Sequence, residues 1–366
     1  MRKLTIAFAA ISLALPASAQ DETPETQPGP TDIVNSAPQS EWVVIPPEDL
    51  LVMTLAPDDE GNERKVVIQL MPVPFSQGWV SNIKTLARAK WYDGISVNRV
   101  QDNYVVQWGD PGHDNPESGE TETKPLPEGL KVMTEADYLT DMDQVSYTMP
   151  AWPGASLTAA DGPGGFSQIS VNETTAPGDG GEGWHKRDAY ADFVEIVGGW
   201  PMGSEDSGRD DGMGLDIHTA WPLHCYGMVG VGRSYSPDTG SGAELYTVTG
   251  HAPRHLDRNI ALVGRIVGGM EHLTSLPRGS GALGFYTEAE KHLRTPIVSI
   301  RVASDLPEAE RPLLEQLKTG TRTFERYVAA RAARRDPFFI HPAGGIDICN
   351  IPVPIRPFEY ADGAPE

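Results

Sequence analysis

The stretch "YDGISVNRVQDNYVVQWGDP", Tyr92 to Pro111, decides how this chain is read. One cation, Arg99, lies in a strand-like apolar run from Ser96 to Val100. A second run, Tyr104 to Trp108, stops at Gly109, Asp110 and Pro111. An arginine on an isolated strand is most often a surface or ion-pair residue, so its meaning depends on what shares its face. Period-2 alternation places Arg99 with Val97, Val105 with Gln107, and, in the later run "GAELY", Glu244 with Tyr246.

Working outward, two apolar runs, Leu50 to Ala56 and Arg64 to Met71, flank "PDDEGNE", whose Asp, Gly and Asn signal a hairpin turn. Trp79, Ile83, Leu86 and Ala87 then recur at helical spacing ahead of Gly94. From Asp110 to about Asp188 the chain turns rich in Gly, Pro and acids, which reads as an insertion, partly ordered or functional. Short apolar runs split by Gly-rich turns resume with "ADFVEIVGG", "HCYGMVGVG", "ELYTVTG" and "IALVGRIVGG", and "PIVSIRVASDL" reads as a closing strand. Many short strands with few helices predict a mainly β, closed antiparallel barrel. Glu308 to Leu317 and Thr321 to Arg335 carry amphipathic helical spacing. The predicted partition is a signal peptide over 1–19, a flexible leader over 20–47, and a barrel over 48–306 interrupted at about 112–188. A helical extension with a Pro-rich tail covers 307–366.

The bulk numbers set limits. A chain of 366 residues with 39% hydrophobic content supports one elaborated domain or two smaller ones. Arg2 and Lys3, the apolar stretch Leu4 to Leu15 and "ASA" at 17–19 form a secretory signal pattern, with cleavage expected after Ala19 and a periplasmic location expected for the mature chain. The residue directly after that point is Gln20 rather than cysteine, which argues against a lipid anchor, and no later stretch has the length to span a bilayer. Loss of the two signal cations takes the net charge from −22 to −24. Such a surface disfavours nucleic acid and anionic membranes, whose phosphates are bound through Lys and Arg. Cys225 and Cys349, an even pair in an oxidising compartment, form a disulfide candidate.

The opening stretch resembles the segment YxGxxFHRVxxxFxxQGGDP of cyclophilin-type peptidyl-prolyl cis-trans isomerases. It matches at Tyr92, Gly94, Arg99, Val100, Gln107, Gly109, Asp110 and Pro111, and conservatively at Tyr104. A second block, "GMVGVGR" through "GAELY" to "LDRNIALVGRIVGGM", is similar to the family's GxLSMAN…GSQFFI…LDgxxxxFGxVxxGM. The resemblance runs from about Leu50 to Leu306. It implies an eight-stranded barrel capped by helices with a proline-binding groove on its outer face, and an isomerase that needs no cofactor or metal. The partners it implies are proline-containing polypeptides, met by a monomer. Carried over by position, Arg99 is the catalytic donor and Gln107 its orienting partner. Tyr104, Val105, Tyr246 and Leu256 form the proline pocket, Gly232 and Arg233 pair with the substrate backbone, and Glu244 and His255 complete the expected substrate-binding set.

The departures are specific. Asn98 replaces His, Trp108 replaces Gly, Glu244 stands where Gln lies, His255 takes a Trp or Phe position, and Ile260 a polar ring position. Glu244 is open to two readings: a carboxylate that holds Arg99 by a charge-assisted hydrogen bond, or one that competes with substrate for it. The second leads to an alternative function, a catalytically weakened peptide-binding barrel. Val105 and Leu256 read equally well as core. "HAPRHLD" offers His251, His255 and Asp257, but Pro253 breaks the helix that would align them as metal ligands. His224 beside Cys225 is a weaker metal signal still. "GVGRSYSPDTGSG" lacks the lysine of a phosphate loop.

Overall fold

A computed structural model describes residues 28–141, 188–210 and 216–358, apart from 337, 342 and 344. The expected signal segment and residues 142–187 of the insertion lie outside them. Eight strands make the central sheet: β1 (Leu50–Leu55), β2 (Arg64–Leu70), β3 (Ser96–Val100), β4 (Val105–Gly109), β5 (Met228–Val231), β6 (Glu244–Val248), β7 (Leu262–Gly268) and β8 (Ile297–Val302). All pairings are antiparallel, in the order β8-β1-β2-β7-β5-β6-β4-β3. The two edge strands meet where Val97 N–H donates to Thr295 O at 2.9 Å and Ile297 N–H donates to Ile95 O at 2.7 Å. The sheet therefore nearly closes on itself and hides its edges.

The β1–β2 hairpin forms where turn chemistry places it, with the Asp58 carboxylate accepting from the Asn62 N–H at 2.7 Å. Met53, Ile68, Val106, Trp108 and Leu245 are buried in the main core. The helix Gln77–Arg88 lays Trp79, Ile83, Leu86 and Ala87 into the same core, as their spacing predicts. Trp79 keeps its one polar atom satisfied by donating Nε1–H to Thr239 O at 3.0 Å.

Three segments differ from the sequence-based partition. The insertion between β4 and β5 continues to Pro222: Phe193–Val197, Trp200–Asp210 and Asp216–Pro222 join Thr140–Asp141 in a separate four-stranded sheet. "ADFVEIVGG" thus belongs to the insertion. Gly198 and Gly199, with φ of 56° and 90°, turn the chain back so that this strand pairs with its sequence neighbour rather than with the barrel. Glu308–Leu317 is not a helix. It holds a single turn, Glu308–Glu310, and a strand, Leu314–Leu317, inserted between Trp42–Val44 and Ile355–Pro357. The predicted leader also holds regular structure, over Pro30–Asn35 and Trp42–Val44. A short helix, Pro30–Asn35, packs on the helix Arg322–Ala332, Ile33 and Trp42 are buried, and the Arg356 guanidinium covers the Trp42 ring at 3.8 Å. The second predicted extension helix is present as Arg322–Ala332, capped by Thr321.

One buried cation clasps these layers. Arg265 on β7 donates to Gln69 Oε1 (2.9 Å), Gly199 O (2.7 Å) and Gln316 Oε1 (3.0 Å) and lies 4.3 Å from the Trp200 ring centroid. Barrel, insertion hairpin and C-terminal sheet meet there. Burial pulls its pKa down to about 9, so it stays charged at neutral pH. Arg265→Ala should lower unfolding stability by about 2–4 kcal/mol, because three acceptors lose a charged donor in a dry site and only Gln316 Oε1 keeps another, from Gln69 Nε2. Denaturant midpoints test this, and a loss under about 0.5 kcal/mol would mean the clasp is idle.

Candidate functional site

Arg99 leaves β3 at a bulge. Val97 pairs with Trp108 and Arg99 with Gln107, so Asn98 is the extra residue. The expected sharing of one face by Arg99 and Val97 is therefore wrong: Val97 is buried in the core while Arg99 lines a groove on the barrel's outside. The bulge re-aims the side chain. The other two pairs hold, since Val105 and Gln107 both line the groove, and Tyr246 shares its face with Glu244.

The groove has a volume of about 430 Å³. Arg99, only 8% exposed, lines it together with Tyr104, Val105, Gln107, Gly232, Arg233, Tyr246 and Leu256. Its guanidinium is braced from three sides. Nε–H donates to Leu283 O at 2.7 Å, Nη1 to Gln107 Oε1 at 3.0 Å, and Nη2 to Gln101 Oε1. A guanidinium carries five N–H bonds, so two remain, one on each terminal nitrogen. The group sits 5.7 Å from the Tyr104 ring centroid and 5.2 Å from that of Phe285. Burial lowers the pKa of Arg99, with Tyr104, Glu117 and Glu244 pulling the other way. Leu283 presents its carbonyl from a left-handed backbone conformation, φ 54°, in the loop that packs beside β3. A non-glycine residue holds that conformation at a cost of order 1 kcal/mol, tolerated here where the carbonyl meets the arginine.

The slot beside Arg99 is apolar. Val105, Tyr246 and Val248 form a small cluster apart from the main core, with Tyr104 and Ile260 packed against it. Val105, read equally as core or pocket, belongs to the groove, as does Leu256. Arg233 turns its guanidinium onto the carbonyls of Asn259 (2.8 Å) and Ser234 (2.7 Å). Two expected residues do not line the groove. His255 is exposed on the turn Arg254–Leu256. Glu244 is fully buried beneath Gly232, where an added Cβ would come 3.1 Å from the Glu244 Cβ.

Glu244 accepts from Asn98 Nδ2 at 2.9 Å, so two departures from the family pattern are partners of each other. The hydrogen bonds of Arg99 run to Leu283, Gln107 and Gln101, and Glu244 pulls on its charge from beneath Gly232. Gly109 has φ 133°, and a Cβ there would meet Ala243 O at 2.2 Å; only glycine lets β4 lie this close to β6. Asp110 caps the short helix Pro111–Asp114, so that turn is structural. Gln101, Leu283 and Phe285, which brace the arginine, were not found by sequence reasoning. Gln101 alone carried a signal, two residues from Arg99 on the same side.

The candidate metal ligands do not converge. His251 meets Asn103 at 3.2 Å, while Asp257 binds Arg254 and His224. Cys225 is bonded to Cys349. His224 is buried entirely, with Nδ1 2.9 Å from Asp257 Oδ1 and Nε2 2.8 Å from the Tyr246 hydroxyl. Burial lowers its pKa, partly offset by Asp257, while Arg254 and His255 act with burial. The native state thus prefers the neutral ring. Its stabilising contribution is complete above the ordinary histidine value of 6.5 and is lost as pH falls below it, by up to about 1.4 kcal/mol per pH unit for one proton. Urea midpoints between pH 7.5 and 5.5 should fall more steeply for wild type than for His224→Phe; equal slopes would remove this assignment.

A nearly closed antiparallel barrel with a braced guanidinium beside an apolar slot on its outer wall defines the class, a barrel with a peptide-sized surface groove. A family model, "Cyclophilin type peptidyl-prolyl cis-trans isomerase/CLD", matches residues 64–302, and the chain belongs to that family. Among solved structures, the cyclophilin AquaCyp293 from Hirschia baltica is 19% identical with a TM-score of 0.58, over 88% of this chain and 96% of that one. A Cryptosporidium parvum cyclophilin-type isomerase is 9% identical with a TM-score of 0.34, over 69% and 96%. No curated protein matches the chain.

Proposed function

We propose that this protein is an exported isomerase that accelerates rotation about X-Pro bonds in exported polypeptides, with Arg99 as the catalytic donor and Gln107 as its orienting partner. Amide resonance sets a rotation barrier of about 18–20 kcal/mol. The uncatalysed exchange takes tens of seconds or longer. No covalent bond has to break. In the half-rotated state the prolyl nitrogen regains a lone pair, and a donor aimed at it stabilises that state more than either planar one. The observation that carries the reading is the Arg99 fork, fixed by Leu283 O, Gln107 and Gln101 with two N–H bonds left over beside an apolar slot. Tyr104, Val105, Tyr246 and Leu256 would take the proline ring, and Gly232 and Arg233 the neighbouring backbone.

The N-terminal charge and apolar pattern supports export to a periplasm, and the Cys225–Cys349 bond suits an oxidising compartment. No helix among the described residues is long and apolar enough to cross a membrane. The test is cis-to-trans exchange of an Ala-Pro peptide with micromolar protein. Acceleration well above the uncatalysed rate is expected, and a rate equal to buffer alone would overturn the proposal.

A further inference from the structure

The floor of the slot is tied to a polar chain that the isomerase reading leaves unused. Tyr246 stands on β6 between Gln107 on β4 and Gly230 on β5. Its ring lies in the apolar cluster, yet its hydroxyl reaches back under β5 to His224 Nε2 at 2.8 Å. Asp257 Oδ1 accepts from both the backbone N–H and Nδ1 of His224, each at 2.9 Å. That pairing puts the imidazole proton on Nδ1 and leaves Nε2 as the acceptor for the phenol. Asp257 Oδ2 accepts from Arg254 Nε, and the two terminal nitrogens of Arg254 bind Asp188 at 2.9 Å each. Every member is held by the next, and His224, Asp257 and Arg254 are all buried.

Three positions serve this one hydroxyl. A phenylalanine at 246 would floor the slot with no buried histidine or carboxylate behind it. Gly230 is equally committed: an added Cβ would lie 2.4 Å from both the Tyr246 Cζ and its hydroxyl. Tyr246 and Gly230 stand where the family pattern has Phe and Ser, so the two departures accompany each other in space. A tyrosine bound at its far end cannot swing when the slot is empty, so the floor is formed before a ligand arrives.

We propose that His224, held by Asp257, is a positioning residue of the groove: through the Tyr246 hydroxyl it fixes the ring on which the substrate proline lies. The proposal rests on the prolyl-isomerase reading of the groove. His224→Phe frees the far end of the tyrosine, and Tyr246→Phe keeps the ring while removing its tether. Each should raise KM for an Ala-Pro peptide by about two- to tenfold, the cost of ordering one loose side chain on binding, with kcat changed by less than twofold. In wild type, acid protonates Nε2, which then donates to the phenol oxygen and leaves the phenol O–H without its histidine acceptor. KM should therefore rise as pH falls, and Tyr246→Phe should abolish that rise. Of the groups that face the imidazole, only Tyr246 is altered in that variant; Asp257, Arg254 and His255 are kept. The ¹⁵N resonances of His224 should report the Nδ1–H tautomer in free wild-type protein.

Tyr246→Phe is the smaller perturbation should His224→Phe fail to fold. Wild-type catalysis with an unchanged KM and pH profile in folded Tyr246→Phe would overturn the positioning role and leave the isomerase standing. An Nε2–H tautomer would overturn it as well. A wild type that neither binds nor turns over the peptide would take down both.

Discussion

Arg99→Ala should lower kcat/KM for an Ala-Pro peptide by about 10²- to 10³-fold, the usual loss when a fixed donor to developing charge is removed from a partly dry site. The loss should fall mainly on kcat. The slot formed by Tyr104, Val105 and Tyr246 survives the substitution and still holds the ring, whereas the donor acts on the half-rotated amide. Arg99→Lys separates charge from direction. An ammonium keeps the cation but cannot bind Leu283 O, Gln107 and Gln101 at once while offering two further N–H bonds in a plane. It should recover no more than about tenfold of the loss. The groove is open to water, so the freed Gln101 and Gln107 side chains can be solvated, and the fold should stand with a stability loss of about 1–2 kcal/mol. Exchange spectroscopy on the peptide reads the rates, and circular dichroism checks the fold. An Arg99→Ala rate within threefold of wild type would end the catalytic role of this arginine.

What could be read in the sequence was what is local or carried by a dense motif. The β1–β2 hairpin follows from a turn of seven residues, and the helix Gln77–Arg88 from the spacing of its own apolar face. The groove residues Arg99, Tyr104, Gln107 and Tyr246 sit in two blocks whose residue order tracks the barrel. The misreadings are non-local. Leu314–Leu317 has helical spacing, yet its backbone is satisfied by Trp42–Val44 on one side and Ile355–Pro357 on the other, partners that no window around it contains. The bulge at Asn98 is a register shift between two strands, so alternation within β3 put Val97 on the wrong face. The pairing of Asn98 with Glu244 spans 146 positions, and that of His224 with Tyr246 requires β5 and β6 to be placed first. Asn98 and Glu244 were visible only as isolated departures from a pattern, and the structure shows that they belong together.

The second large effect concerns the bond between Cys225 and Cys349. It closes a loop of 124 residues, for which the chain-entropy model predicts about 4–5 kcal/mol of stabilisation through restriction of the unfolded chain. Engineered and natural bridges often deliver somewhat less. Cys349 lies on the turn Ile348–Asn350, where Asp347 accepts its N–H at 2.8 Å and Ile348 and Ile351 are buried in the main core. Tyr327 donates its hydroxyl to Pro352 O at 2.7 Å, and Ile355–Pro357 pairs with Leu314–Leu317. The tail is therefore held without the sulfurs, so the double variant Cys225→Ser/Cys349→Ser should fold and keep its tail docked. Its stability should still drop by about 3–5 kcal/mol, seen as a fall in Tm of about 4–7 °C for a chain of this length, because the unfolded chain regains its freedom whatever the folded contacts do. Protein made in a reducing cytosol should show the same lowered Tm until oxidised, and labelled thiols should report two free groups there and none in exported protein. A double variant melting within about 2 °C of the oxidised wild type would mean that the packing of Ile348 and Ile351 already confines this end of the chain, with the bridge adding nothing to it.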